Sequence, residues 1–165
     1  MNEGRPSGES APAPKAELFN PSANVWGDVK EGVLELEEQC FPGQGLPEKE
    51  LEIIFSDPAN IVVVLKKDTD LIGFSCAIPD EDVEEATYIY ATDIHPDEQG
   101  MGHVVSIMNV LEEEARKRGY KFLTRNAAVP NGYADKIQKN YKGRILESHE
   151  NNSEYGPQRY FKIRL

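Results

Sequence analysis

The sequence predicts an α/β fold of the α+β kind, a mixed sheet flanked by helices. Three observations predict it. Short runs rich in β-branched and aromatic residues, bounded by turn residues, read as strands. Four other stretches place apolar residues at helical spacing. Taken in order they run β-α-α-β-β-β-α-β-α-β-β, and that alternation mixes hairpins with helical crossovers.

The elements follow in order along the chain. Residues 1–15 (MNEGRPSGESAPAPK) are Pro, Gly, Ser and Ala with little to bury, and are expected to be a disordered tail before a folded domain over 16–165. Ala16 to Phe19 reads as a short edge strand. Val29, Val33, Leu36 and Cys40 step by four, three and four, which lines one face of a helix over 27–40. The loop from Phe41 to Pro47 stops it. Pro47 suits the first turn of a second helix, in which Leu51, Ile54 and Phe55 share a face. Asn60 to Lys66 is a strand, Lys67 to Asp70 a turn, and Leu71 to Ile78 the hairpin partner. An acidic loop, Pro79 to Glu85, leads to a strand at Thr87 to Ile94. Val104, Ile107, Met108, Leu111 and Ala115 mark an amphipathic helix that Gly119 ends. Residues 120–127 read as a strand, 132–141 as a helix, 144–149 as a strand, and Tyr160 to Leu165 as the last strand.

The chain has 165 residues, 39% of them apolar, which suits one domain with a single core. Lys and Arg number 18 against 29 Asp and Glu, a net charge of −11. Such a balance excludes a duplex nucleic-acid binder, which needs a basic face, and an electrostatic anchor on anionic lipid. It favours a cationic small molecule or a peptide amine as partner. Cys40 and Cys76 are the only cysteines, so there is neither a disulfide framework nor a CxxC site. The longest clean apolar run, Ile61 to Leu65, falls far short of the ~20 residues of a membrane span. The N-terminus lacks the apolar core of a signal peptide, so a cytoplasmic protein is expected.

The chemistry concentrates between Thr87 and Gly119. A strand ends in Ile94-His-Pro-Asp-Glu-Gln-Gly-Met-Gly-His103, and a helix follows. Gly100 and Gly102 let the backbone turn tightly with no side chain in a ligand's way. The helix start presents unpaired N–H groups and the positive end of its dipole, so this turn is an anion cradle suited to pyrophosphate. It lacks the Gly-Lys-Ser/Thr ending of a P-loop, and also the third glycine and acidic partner of the dinucleotide fingerprint.

These residues resemble the signature of the GNAT superfamily, the GCN5-related N-acetyltransferases: an apolar strand end and a Pro, then [Gln/Arg]-Gly-x-Gly-x-[Gly/Ala], then a helix. Here the matching positions are Ile94, Pro96, Gln99, Gly100, Met101, Gly102, His103 and Val104. Two weaker echoes are Asn131-Gly-Tyr-Ala134, which opens the next helix, and Gly143, which ends it. The span from about 16 to 165 follows the family's element order. The resemblance implies a mixed, mostly antiparallel central sheet, with acetyl-CoA or another acyl-CoA lying where the strands 87–94 and 120–127 splay apart. It also implies that the backbone amides of Gln99, Gly100, Met101, Gly102, His103 and Val104 take the pyrophosphate. The pantetheine arm would pair with the strand edge near Ile94, and Asn131 would touch the cofactor. The sequence departs from the pattern twice. Val104 stands where Gly or Ala is usual, and the family's catalytic Tyr, four residues before the closing Gly, is Lys139. The available phenol is Tyr141, two residues on.

Acyl transfer to an amine needs a neutral nucleophile, a group to receive its proton, and an acid for the departing thiolate. The family often places a carboxylate six residues before the position of Ile94, and Tyr88 stands there. By alternation Tyr88, Tyr90 and Thr92 share a face with Ile94, while Asp93 points the other way unless a bulge intervenes. A water held by Tyr or Thr hydroxyls is the favoured proton acceptor and Asp93 is the carboxylate alternative, although for each of these residues taken singly ordinary sheet packing is the readier explanation. Glu31, Glu35, Glu37 and Glu38, with the acidic loop, form either an acceptor mouth or a solvated face. His95 and His103 have no triad or metal set beside them, and Cys40 and Cys76 fall on apolar faces. The expected function is an N-acetyltransferase acting by direct transfer from acetyl-CoA to an amine, without a metal. A catalytically silent acyl-CoA-binding module, a longer acyl chain and a homodimer stay open.

Overall fold

The computed structural model describes residues 13–165, so most of the expected N-terminal tail lies outside the described residues. The elements are β1 (Lys15–Leu18), α1 (Trp26–Cys40), α2 (Glu48–Ser56), β2 (Ile61–Lys67), β3 (Asp70–Pro79), β4 (Ala86–Ile94), α3 (His103–Lys117), β5 (Phe122–Ala128), α4 (Tyr133–Asn140), β6 (Ile145–Ser153) and β7 (Gly156–Arg164). They form one seven-stranded sheet in the order β1-β2-β3-β4-β5-β7-β6. Every neighbouring pair is antiparallel except β4 and β5. The order and the mixed, mostly antiparallel sheet match the expectation.

Helices cover both faces, which explains why β2 is apolar without alternation. Val62 and Val64 face α1 and α2, packing with Val33, Leu36, Leu51 and Phe74. Ile61, Val63 and Leu65 face α3 and α4, packing with Ile107, Leu111, Leu123 and Ile137. Phe55 anchors the first layer, its ring centroid 5.3 Å from Phe19, 4.9 Å from Trp26 and 5.7 Å from Phe74. No helix among the described residues is long and apolar enough to cross a membrane.

Two differences from the sequence reading bear on the site. First, β6 and β7 form a long hairpin closed at Glu154 and Tyr155, where only 144–149 and Tyr160 to Leu165 are expected as strands. The added part of β6 (Glu150 to Ser153) is polar on both sides, because it is the sheet's edge and has no buried face to mark it. Second, β4 carries a bulge. Cys76 pairs with Ala91 and Ala77 with Ile89, which leaves Tyr90 as the extra residue. The bulge resets the alternation, so Ile89 and Ile94, an odd number of residues apart, both join the α3 layer. Tyr88, next to Ile89, therefore faces the side opposite Ile94. This corrects the expectation that Tyr88 shares a face with Thr92 and Ile94.

Candidate active site

The parallel pairing of β4 and β5 is brief. Ala86, Thr87 and Tyr88 pair with Phe122, Leu123 and Thr124, and beyond Tyr88 the two strands separate. The split opens toward the glycine turn. His95 donates its N–H to Ile72 O on β3, so the N–H and C=O of Ile94 turn the other way, into the gap. The Ile94 carbonyl there accepts from Gln99 Nε2 at 3.0 Å and from the Cys40 thiol at 3.2 Å. Burial above all pushes the Cys40 thiol up to about 11, which keeps it a donor at neutral pH.

Past Ile94 a single 3-10 turn (Pro96–Glu98) leads into the glycines. Gly100 and Gly102 take φ of 78° and 79°, the left-handed region that side chains disfavour, and the space where a Cβ would stand is open at both. Gly102 precedes α3 directly. Among the described residues none of Gly100, Met101 and Gly102 gives its N–H to another group of the chain. The first turn of α3 adds its own orphan amides, beginning with His103 and Val104. Glu98 beside this turn is bound from two sides, by His103 Nε2 at 3.1 Å and Lys67 Nζ at 3.2 Å. His103, then Lys67, hold its carboxyl below the ordinary range. The concave side of the turn is thus left to backbone donors.

On the α1 side of the split lies a carboxyl pair. Asp93 is 1% exposed, and neither of its oxygens has a donor among the described residues. Burial, then hydrogen bonding to Glu37 and the charge of Glu37, push Asp93 up to about 9. Two carboxyls can bond only across a shared proton, and this rise makes Asp93 the partner that holds it. Glu37 also accepts from Leu46 N–H at 2.7 Å, tying the loop after α1 to this pair. Glu37 interrupts the apolar face of α1, a charge at a buried helical position, and that is the signal that could have marked it.

Tyr88 lies on the split's edge, its hydroxyl accepting from Asn126 Nδ2 at 3.0 Å, and Asn126 accepts in turn from Asn151. Tyr90, pushed outward by the bulge, donates to Glu50 on α2. That bond, then burial, raises its phenol to about 12. Glu50 also acts on the hydroxyl of Tyr155. Beside them Gln44, Gly45, Glu154 and Tyr155 line an open recess of about 490 Å³ between the α1–α2 loop and the β6–β7 turn. A second recess of equal volume, lined by Asp82, Val83, Glu84 and Glu85 with Phe122 and Lys162, lies at the opposite end of β4 from the glycine turn.

Tyr141, the phenol available in place of the family's catalytic Tyr, packs into the core beside α3. It caps α4 at 8% exposure, its hydroxyl donates to Glu112 on α3 at 3.2 Å, and burial followed by the Glu112 charge raises its phenol. The Arg144 guanidinium lies over its ring at 5.2 Å and pairs with the same Glu112. Asn131 accepts from Tyr133 N–H at 3.0 Å, an Asx turn that starts α4. Arg125 on β5 escapes the sequence reading altogether, although a charge between Leu123 and Ala127, both in the α3 layer, breaks an apolar alternation.

A family model described as "Acetyltransferase (GNAT) family" matches residues 30–136. No curated protein matches the chain. Among solved structures, the chain resembles the ribosomal-protein-S18-alanine N-acetyltransferase from Escherichia coli at 14% identity and a TM-score of 0.69, with 93% of each chain covered. It resembles the aminoglycoside 6'-N-acetyltransferase from Enterococcus faecium at 14% identity and 0.71, covering 90% of this chain and 96% of that one. An aminoglycoside 6'-N-acetyltransferase complexed with coenzyme A gives 14% and 0.72 over the same shares. At such identities these likenesses establish the fold, and the family model establishes kinship: the chain belongs to the GNAT acetyltransferase family.

Proposed function

We propose that the protein transfers an acetyl group from acetyl-CoA to a primary amine, by direct transfer within a ternary complex in the cytoplasm. The observation that carries this is the turn at Gly100 to Gly102, with its N–H groups unpaired, its Cβ side open and a helix start behind it. That donor set fits a diphosphate, and coenzyme A is bound by one of the proteins this chain resembles. The amides of Gln99 to Val104 would hold the diphosphate, and the free edge of β4 near Ile94 would take the arm. Bound there, acetyl-CoA supplies an activated acyl carbon. Asn131 lies at the start of α4 as a further contact.

The acceptor fits best as a cation. Glu50 and Glu154 border the bulge and the recess, and the whole chain carries −11. Tyr88 accepts from Asn126 and keeps its own hydroxyl proton, so it can hold a water that takes the amine proton. A second reading, a catalytically silent acyl-CoA-binding module, draws on the protonated Asp93 and on the bond between Tyr141 and Glu112. Thiol release from acetyl-CoA with a panel of amines, polyamines and peptides separates the two. Release with at least one amine supports the transferase, and tight binding without release on any supports the module.

The cradle has its own test. Gly102→Glu places bulk and negative charge where the diphosphate would lie, at a φ of 79°. Left-handed strain of roughly 1–2 kcal/mol lowers the melting temperature by only ~2–8 °C. Calorimetry is expected to show coenzyme A binding lost in a chain that still melts cooperatively. An unchanged Kd would remove the cradle from this site.

A further inference from the structure

Arg125 is a permanently charged side chain buried without an ion-pair partner among the described residues. It is 3% exposed, and among those residues its Nε and Nη1 have no hydrogen-bond partner. Its Nη2 donates to the Tyr133 hydroxyl at 3.0 Å, and the guanidinium lies 5.1 Å from the centre of that ring. A guanidinium keeps its proton at any physiological pH and offers five donors, so burial with two nitrogens unpaired is costly. Such a group is a donor set lacking its acceptor.

Its place in the fold says which acceptor. Arg125 is the first residue of β5 beyond the last β4–β5 pair, Tyr88 with Thr124, so it stands at the fork of the split. From the glycine turn back to that fork β4 runs from Ile94 to Ile89, five residue steps or ~17 Å. The arm of coenzyme A between diphosphate and sulfur has about thirteen bonds, ~15 Å when extended at the reach of a peptide chain. A diphosphate held at the turn therefore delivers the sulfur close to the fork.

We propose that Arg125 is a catalytic residue that stabilises the departing thiolate of coenzyme A through its Nε and Nη1 donors. This rests on the proposed function. The acceptor nitrogen forms a bond to the acyl carbon while the carbon–sulfur bond breaks, and the electron pair leaves on sulfur. Arg125 gives up no proton. It offers fixed positive charge where negative charge develops, and the ammonium proton goes to water. Tyr133, half-buried over the guanidinium, occupies only Nη2, which leaves Nε and Nη1 for the sulfur.

Binding tests this without turnover. Coenzyme A and its desulfo analogue are titrated calorimetrically against wild type, Arg125→Met and Arg125→Lys across pH 6–10, and the bound thiolate is followed by its ultraviolet absorbance. In wild type the bound thiol is expected to ionise below the value of free coenzyme A titrated in the same buffer. Arg125→Met is expected to return it to that value or above. The same change should cut the preference for coenzyme A over the desulfo analogue at pH 8 about tenfold, with desulfo binding within about twofold of wild type. Arg125→Lys, which keeps charge without the planar fork, is expected to fall between and covers the case in which the Met variant does not fold. An unshifted thiol in wild type, or a shift that survives both substitutions, overturns the role of Arg125 and leaves the coenzyme A site standing. A wild-type chain that binds neither ligand overturns both.

Discussion

Burial and Glu37 hold the proton on Asp93 up to about pH 9, against 3.8 for an ordinary aspartate. Between those two values the folded chain keeps a proton that the unfolded chain has released. The contribution of Asp93 to stability is therefore full below about pH 4, shrinks as pH rises, and is gone once the folded carboxyl ionises near 9. The slope for one proton is at most ~1.4 kcal/mol per pH unit. Asp93→Asn keeps the shape and a donor toward Glu37 but does not titrate. Its stability in urea is expected to change less than wild type's from pH 5 to 9, and to exceed wild type's at the alkaline end. Parallel curves would mean that Asp93 is not the protonated partner. The sequence marks Asp93 as a carboxylate beside the motif, but its state depends on a side chain of α1 that no local pattern joins to it. Tyr141 is legible only as a phenol near the right place, because its hydroxyl is claimed by Glu112 on another helix. The residues of the glycine turn are legible because backbone geometry alone, two glycines before a helix, makes that feature.

At the scale of elements, the split between β4 and β5 depends on how β3 supports β4. Gly73 lies against the end of β4: a Cβ there would stand 2.8 Å from Ile94 Cδ1 and 3.0 Å from the Asp93 carbonyl. A side chain can swing away but a backbone carbonyl cannot without parting the strands. Gly73→Ala is expected to cost about 1–3 kcal/mol by overpacking. It should also weaken coenzyme A binding several-fold, because Ile94 leads directly into the glycine turn. Gly32→Ala, whose Cβ would meet only the Leu71 side chain, is the comparison and should leave binding alone. Denaturant melts and calorimetry on both variants decide the matter, and equal affinities would uncouple β3 from the cradle. The order of elements is legible because each helix and each half-buried strand prints its own period. The bulge at Tyr90 is not, since the count of residues per strand is set by the partner strand, and the outer half of β6 is not, since an edge has no apolar face.

The whole molecule carries −11, and its two proposed guests have opposite charge. Coenzyme A is an anion that must approach against this field and is held by local backbone dipoles, while a cationic amine approaches with the field, toward Glu50 and Glu154. Salt screens long-range terms first, with a Debye length of about 30 Å at 0.01 M and about 10 Å at 0.1 M. Raising sodium chloride from about 0.02 to 0.5 M is therefore expected to raise the KM for a diamine several-fold at saturating acetyl-CoA. The KM for a neutral hydroxylamine-type acceptor should stay within about twofold. Over the same range the Kd of coenzyme A should hold steady or fall, because the repulsion it meets is screened while its short bonds to the turn are not. Opposite trends for the two substrates would assign the acidic surface to acceptor capture. A diamine KM that ignores salt would leave that surface the simpler task of keeping the chain soluble.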